Sequence, residues 1–132
     1  MYSDDLEFVW DRRKSETNLS LRGFDFLFAT QIFSGVTVER ADDRRDYGEP
    51  RFVAIGVVDD ICLTVVYTDR DKAPGGIERR IISARLSNRR ERMVYEAASR
   101  KIHIWRRSGG LAPSAPGDGR RNYAHVAAGT RG

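Results

Sequence analysis

The sequence predicts a compact α+β domain with two N-terminal helices, a four-stranded antiparallel sheet and a C-terminal helix. Three observations carry this. The chain has 132 residues, enough for one domain with one modest core. Four apolar runs between Val36 and Leu86 are separated by turn and loop residues. Cap-forming residues, Asp11, Asp25 and Asn88, stand before the three segments read as helices.

Residues 7–10 read as a short strand. Asp11 then caps a helix from about Arg12 to Leu21, and Gly23 can take the left-handed conformation that ends it. Asp25 caps a second helix, Phe26 to about Phe33, with Phe24 and Ala29 spaced as a hydrophobic staple. This helix is apolar on most sides, so part of it should be covered by something beyond the sheet. Residues 36–39 form a strand and 41–50 a charged loop. Residues 51–58 and 61–68 are two strong strands joined at Asp59-Asp60, the spacing of a tight hairpin. A loop ending in Pro74-Gly75-Gly76 leads into the last strand, 77–86.

The final helix runs from about Arg89 to Ile102. Asn88 with Glu91 three residues on matches the capping-box pattern, and Val94, Ala98 and Ile102 recur at helical spacing as the inward edge. The helices are expected on one sheet face, with the other left open. The domain is read as 1–103. Residues 104–132, rich in Gly, Pro and Arg, are read as a flexible basic tail.

Composition narrows the function. No apolar run approaches the roughly 20 residues that cross a bilayer, and the acidic first residues lack the pattern of a signal peptide. A cytoplasmic protein with no membrane partner is expected. Cys62, the single cysteine, excludes an internal disulfide and reads as a small core hydrophobe. His103 and His125 have no ligand-like spacing, so neither a metal nor another cofactor is expected. The loop Asp42-Asp43-Arg44-Arg45-Asp46 reads as a solvated charged loop because arginines interrupt its carboxylates.

Charge is uneven. Residues 1–60 hold 8 basic and 13 acidic side chains, and residues 61–132 hold 15 and 6, so the second half suits an anionic partner. Arginine supplies 20 of the 23 basic residues, and its planar fork binds phosphate in a way that lysine does not. The density peaks where the last strand meets the last helix. Between Arg79 and Arg92 six arginines face one carboxylate, Glu91, with Tyr95 one helical turn further on.

Trp10-Asp11, Lys14, Asn18, Gly23, Phe26, Ala29 and Phe33 resemble the N-terminal pattern of BrnT-type toxins. Arg51-Phe52 with Gly56, then Arg80 to Arg85, Glu91 and Tyr95, resemble its second half. The resemblance covers roughly residues 7–97. It implies a RelE-like fold and the toxin half of a bacterial type II toxin–antitoxin pair, a ribonuclease that stops translation. It also implies a BrnA antitoxin with a ribbon-helix-helix region that reaches operator DNA, so the toxin meets DNA only through its partner. Family members usually carry Lys-His just before the glycine that ends the first helix. Leu21 and Arg22 stand there in this chain, and Arg22 stays protonated at any working pH.

A metal-free ribonuclease needs a base for the 2′-hydroxyl, cations for the charge developing on the phosphate and an acid for the leaving 5′-oxygen. The candidates for proton transfer are Glu91 and Tyr95. Those for charge stabilisation are Arg80, Arg85, Arg22 and Lys14, with Arg89 and Arg90 as further RNA contacts. Glu91 has a competing role as cap, and Tyr95 as a packing residue. Strand alternation puts Arg80 and Arg85 on opposite faces unless a bulge re-aims one. One of them then pairs with an acid such as Glu91 or Asp11, and Arg85, nearest the helix start, is the better substrate contact. The alternative function is a catalytically weakened module that binds its antitoxin and co-represses the operon. A third, a plain RNA-binding module, is weakened by the lack of aromatics interleaved on the strands.

Overall fold

The structure, a computed structural model, describes residues 5–108 and 125–127, and the side chains of residues 5–100. The first strand, β1 (Leu6–Trp10), ends at Asp11, whose carboxylate accepts the Lys14 amide at 3.0 Å and caps α1 (Arg12–Arg22). Gly23 closes α1 at φ 89°, its amide returning to the Leu19 carbonyl. Asp25 caps α2 (Phe26–Ala29) through the Phe28 amide at 2.9 Å. After this single turn the chain tightens into a 3-10 segment, Thr30–Ser34, where an α-helix to Phe33 was expected. At the change the Thr30 hydroxyl donates to the Leu27 carbonyl at 2.7 Å, a local bond of the kind that disturbs regular helix.

The remaining elements are β2 (Thr37–Ala41), β3 (Phe52–Val58), β4 (Ile61–Lys72), β5 (Gly76–Leu86), α3 (Arg89–Ser108) and β6 (His125–Ala127). Strands β2 to β5 form the expected antiparallel run. The β3–β4 hairpin turns at Asp59 and Asp60, both left-handed at φ 50° and 66°, as a two-residue hairpin with the right twist requires.

The sheet as a whole is not the four-stranded antiparallel one that the sequence predicts. It is mixed, in the order β1-β5-β4-β3-β2-β6. β1 lies parallel to β5, with Leu6 opposite Ile77 and Trp10 opposite Ile81, and β6 pairs antiparallel with β2. A strand as short as β1 has no local signal that names a partner about seventy residues away in the chain. The tail expected at 104–132 otherwise lies outside the described residues, apart from the end of α3, which runs past Ile102 to Ser108.

Register decides what each face carries. Phe8, Ala54, Leu63, Val65, Tyr67, Ile81 and Ala84 share one face, where they pack with Phe24, Phe26, Ala29, Ile32 and Phe33 into the main core. The α1–α2 region covers that face. Thr64, between Leu63 and Val65, points the other way, as do Val38, Val53 and Ile55, all buried outside the main core. α3 covers this second face. Thr64 bonds Glu91, and the Tyr95 hydroxyl donates to the Val36 carbonyl at 3.0 Å. The expectation of helices on one face only is therefore corrected. β3 is apolar on both sides, with Phe52 and Ala54 on one and Val53 and Ile55 on the other, so each side needs a cover.

No described helix is long and apolar enough to cross a membrane. Cys62 is half-buried on the second face rather than in the main core, and burial pushes its thiol up.

Gly56 marks the tightest contact between sheet and helical layer. A Cβ there would lie 2.6 Å from the Ile32 Cβ. Gly56→Ala is expected to destabilise the protein by about 1–3 kcal/mol through overpacking. Urea unfolding checks it, with a lower midpoint at an unchanged slope.

Candidate functional site

Between Val66–Ser83 and Tyr67–Ile81 the β4–β5 register slips by one, leaving Ile82 as the extra residue of a β-bulge. This changes where the arginines point. Arg80 lies opposite Thr68 and Arg85 opposite Thr64, so both belong to the second face, not to opposite faces as plain alternation predicts. Four residue steps on β4 separate their partners, about 13 Å along the strand. They share a surface without sharing one phosphate.

Arg85 is fixed by Glu91. Its Nη1 and Nη2 donate to the two carboxylate oxygens, each at 2.9 Å, a fork-to-fork pair. Glu91 also accepts the Asn88 amide at 2.8 Å and the Thr64 hydroxyl at 3.0 Å. Asn88 returns the capping box, its side chain accepting the Glu91 amide at 2.8 Å. Ser87 completes the cluster, its hydroxyl 2.7 Å from that of Thr64. Glu91 is only 5% exposed. Burial raises its carboxyl pKa, but the bonds from Arg85 and Asn88, with Arg85's charge, outweigh that and hold it below the ordinary value. It stands as a carboxylate with donors on both oxygens, which suits an anchor better than a base.

Tyr95 follows Glu91 by one turn, but its hydroxyl bonds at the start of β2, two strands from Thr64 and so roughly 10 Å away laterally. Burial raises its phenol pKa, so it stays neutral. Arg89 and Arg90 are exposed on the first turn of α3, beside Arg85. Arg92 donates to the Ser87 carbonyl at 2.8 Å.

Lys14 and Arg22 lie elsewhere. Both are exposed on α1, whose inner residues Ser15 and Asn18 bond to the Phe26 amide and the Phe24 carbonyl on the main-core face. The sheet stands between them and Arg85. Arg22 also donates to Asn18 at 2.7 Å, which ties it to the helix end.

Arg80 is half-exposed and reaches Glu49 at 3.4 Å. Arg79, on the main-core face, pairs with Asp69 at 2.8 Å and lies over the rings of Tyr67 and Phe33. The Tyr67 hydroxyl donates to Glu39 at 2.5 Å, as does that of Thr37 at 2.7 Å. Burial, then the bond to Glu39, push the Tyr67 phenol well above its ordinary range. Arg79 therefore braces the core. In the charged loop, Arg44 grips Asp42 with both nitrogens, at 2.8 and 2.9 Å. Among the described residues no three His, Cys, Asp or Glu side chains gather as a metal site would require.

Sequence reasoning missed Thr64 and Ser87. A threonine inside the apolar run 61–68 was the available signal, since a buried hydroxyl needs a partner.

A family model described as "Ribonuclease toxin, BrnT, of type II toxin-antitoxin system" matches residues 10–91, more than half of the chain. The match ends at Glu91, just short of Tyr95. Comparison with curated proteins gives no match.

Glu91's folded pKa lies below its unfolded one, so its stabilisation is complete above the ordinary value of 4.5 and is lost as pH falls through the lower, folded value. Glu91→Gln is expected to cost about 2 kcal/mol at pH 7. Thermal melts from pH 7 down to 3 should show the gap between wild type and variant closing towards the acid end.

Proposed function

The chain belongs to the family of BrnT ribonuclease toxins of type II toxin–antitoxin systems, and on that premise we propose that it is a metal-independent RNA endonuclease that stops translation. An antitoxin partner and an RNA substrate go with membership of such a pair. That the antitoxin is of the BrnA ribbon-helix-helix kind and brings the toxin to operator DNA, that the fold is RelE-like, and that the protein works in the cytoplasm belong to the same proposal.

The observation that carries it is the anchored Arg85. A guanidinium held by a buried carboxylate keeps one orientation without reorganising when the substrate arrives. In the reaction the 2′-oxygen of a ribose attacks the adjacent phosphorus and the bond to the 5′-oxygen breaks. The products are a 2′,3′-cyclic phosphate and a 5′-hydroxyl. Arg85 stabilises the charge that builds on the non-bridging oxygens, while Arg89 and Arg90 hold the flanking backbone. Glu91 is the positioning residue for Arg85. The protons from the 2′-hydroxyl and to the leaving oxygen pass through water, because Glu91 already accepts donors on both oxygens and Tyr95 bonds the Val36 carbonyl.

The second reading, a weakened enzyme that serves as antitoxin-binding co-repressor, is favoured by the chemistry absent from residues 5–100. They contain no histidine, and Arg22 stands where the family pattern has one.

Purified protein is expected to cut RNA in excess EDTA, and induced expression to arrest growth. Arg85→Ala should slow cleavage ~100-fold. Glu91→Gln should slow it about 10-fold with an unchanged pH profile, whereas a general base would lose the acidic limb. Intact RNA at micromolar protein, with normal growth, selects the co-repressor reading.

A further inference from the structure

Below the Arg85 anchor, the same sheet face holds a cleft of about 390 Å³ that includes Glu49, Pro50, Thr68, Arg70, Glu78 and Arg80 among its lining residues. Its floor is set by the β4–β5 register. Arg70 lies directly opposite Glu78, and Thr68 opposite Arg80. Thr68 donates to the Pro50 carbonyl at 2.6 Å, which ties the loop wall to the floor. Glu49 lies 3.4 Å from Arg80 and 3.2 Å from Arg51. Among the described residues, Arg70 and Glu78 have no ion-pair partner, although they face each other across one rung of the sheet.

We propose that this cleft reads a guanine base of the RNA strand whose phosphate meets Arg85. The inference rests on the RNA-cleaving function proposed above. Guanine is the base whose Watson–Crick edge carries two adjacent donors, the N1 and N2 hydrogens, with two acceptors beyond them, O6 on that edge and N7 on the neighbouring Hoogsteen edge. A carboxylate beside guanidinium groups matches that order: Glu78 takes N1–H and N2–H, while Arg70 and Arg80 give to O6 and N7. Adenine puts an acceptor at N1 and a donor at N6, which would set a lone pair against Glu78. Cytosine and uracil offer only one donor site on that edge. The roughly 13 Å between Arg80 and Arg85 along the sheet places the base beyond the phosphate at Arg85, on a flanking nucleotide.

The test separates base reading from cleavage. The full chain is titrated with guanosine 5′-monophosphate and, separately, adenosine 5′-monophosphate, following the backbone amide resonances of Thr68, Arg70 and Glu78. The phosphate is common to both ligands, so a difference reports the base. Half-saturation with the guanine nucleotide is expected at about 10-fold lower concentration. Glu78→Gln, with its melting temperature checked, should abolish that difference, and Arg70→Ala should reduce it. Equal responses to the two nucleotides, no response at these amides, or a preference unchanged in Glu78→Gln would overturn the proposal. Because this readout needs no turnover, a wild type that fails to cut RNA would sink the enzymatic reading while the titration still decides the cleft.

Discussion

The paired carboxylate of Glu91 ties together the parts of this molecule that matter for function. It joins the first turn of α3 to β4 through Thr64 and to β5 through Arg85, and it closes the helix cap with Asn88. A buried carboxylate is costly unless it is fully bonded. The four donors around Glu91 meet that condition, and in meeting it they fix the angle at which α3 leaves the sheet. Removing one donor would leave the remaining charge to find another, so the cluster is held as a unit.

Around that junction the fold divides its labour by face. The main-core face is apolar, with Arg79 and the Tyr67–Glu39 bond as its polar braces. The second face buries Val38, Val53 and Ile55, and α3 packs there against β2 and β3. Beyond the helix it carries Arg80, Ser83 and Arg85 on β5 and Arg70 on β4, all partly or fully exposed. A single bulge at Ile82 is responsible for that alignment. Without it Arg80 would turn towards the main core, and the open face would lose one of its cations.

This arrangement suits charge stabilisation better than proton transfer. Arg85 is oriented and partly exposed, while the residues that could move protons are engaged in bonds that hold the structure. Family membership supplies the ribonuclease class. The geometry adds that the candidate cations divide by face, with Arg80, Arg85, Arg89 and Arg90 on or beside the second face and Lys14 and Arg22 on α1 across the sheet. Only the first set shares a surface with the cleft at Arg70 and Glu78.

The sequence by itself determined whatever depends on neighbours in the chain. The caps at Asp11, Asp25 and Asn88, the left-handed Gly23, the Asp59-Asp60 hairpin and the strand order from β2 to β5 are each encoded within a few residues, and their backbone requirements are local. The partnership of Arg85 with Glu91 was one of the pairings open to it, since six residues separate them. Only the tertiary structure decided that β1 runs parallel to β5, that α3 covers the second face, that Tyr95 reaches Val36 and that Arg80 and Arg85 point the same way. Each of these turns on a contact distant in sequence or on one unpaired residue. Local spacing carries no information about which distant strand will satisfy an open edge, and a one-residue slip in pairing reverses the side of every residue beyond it.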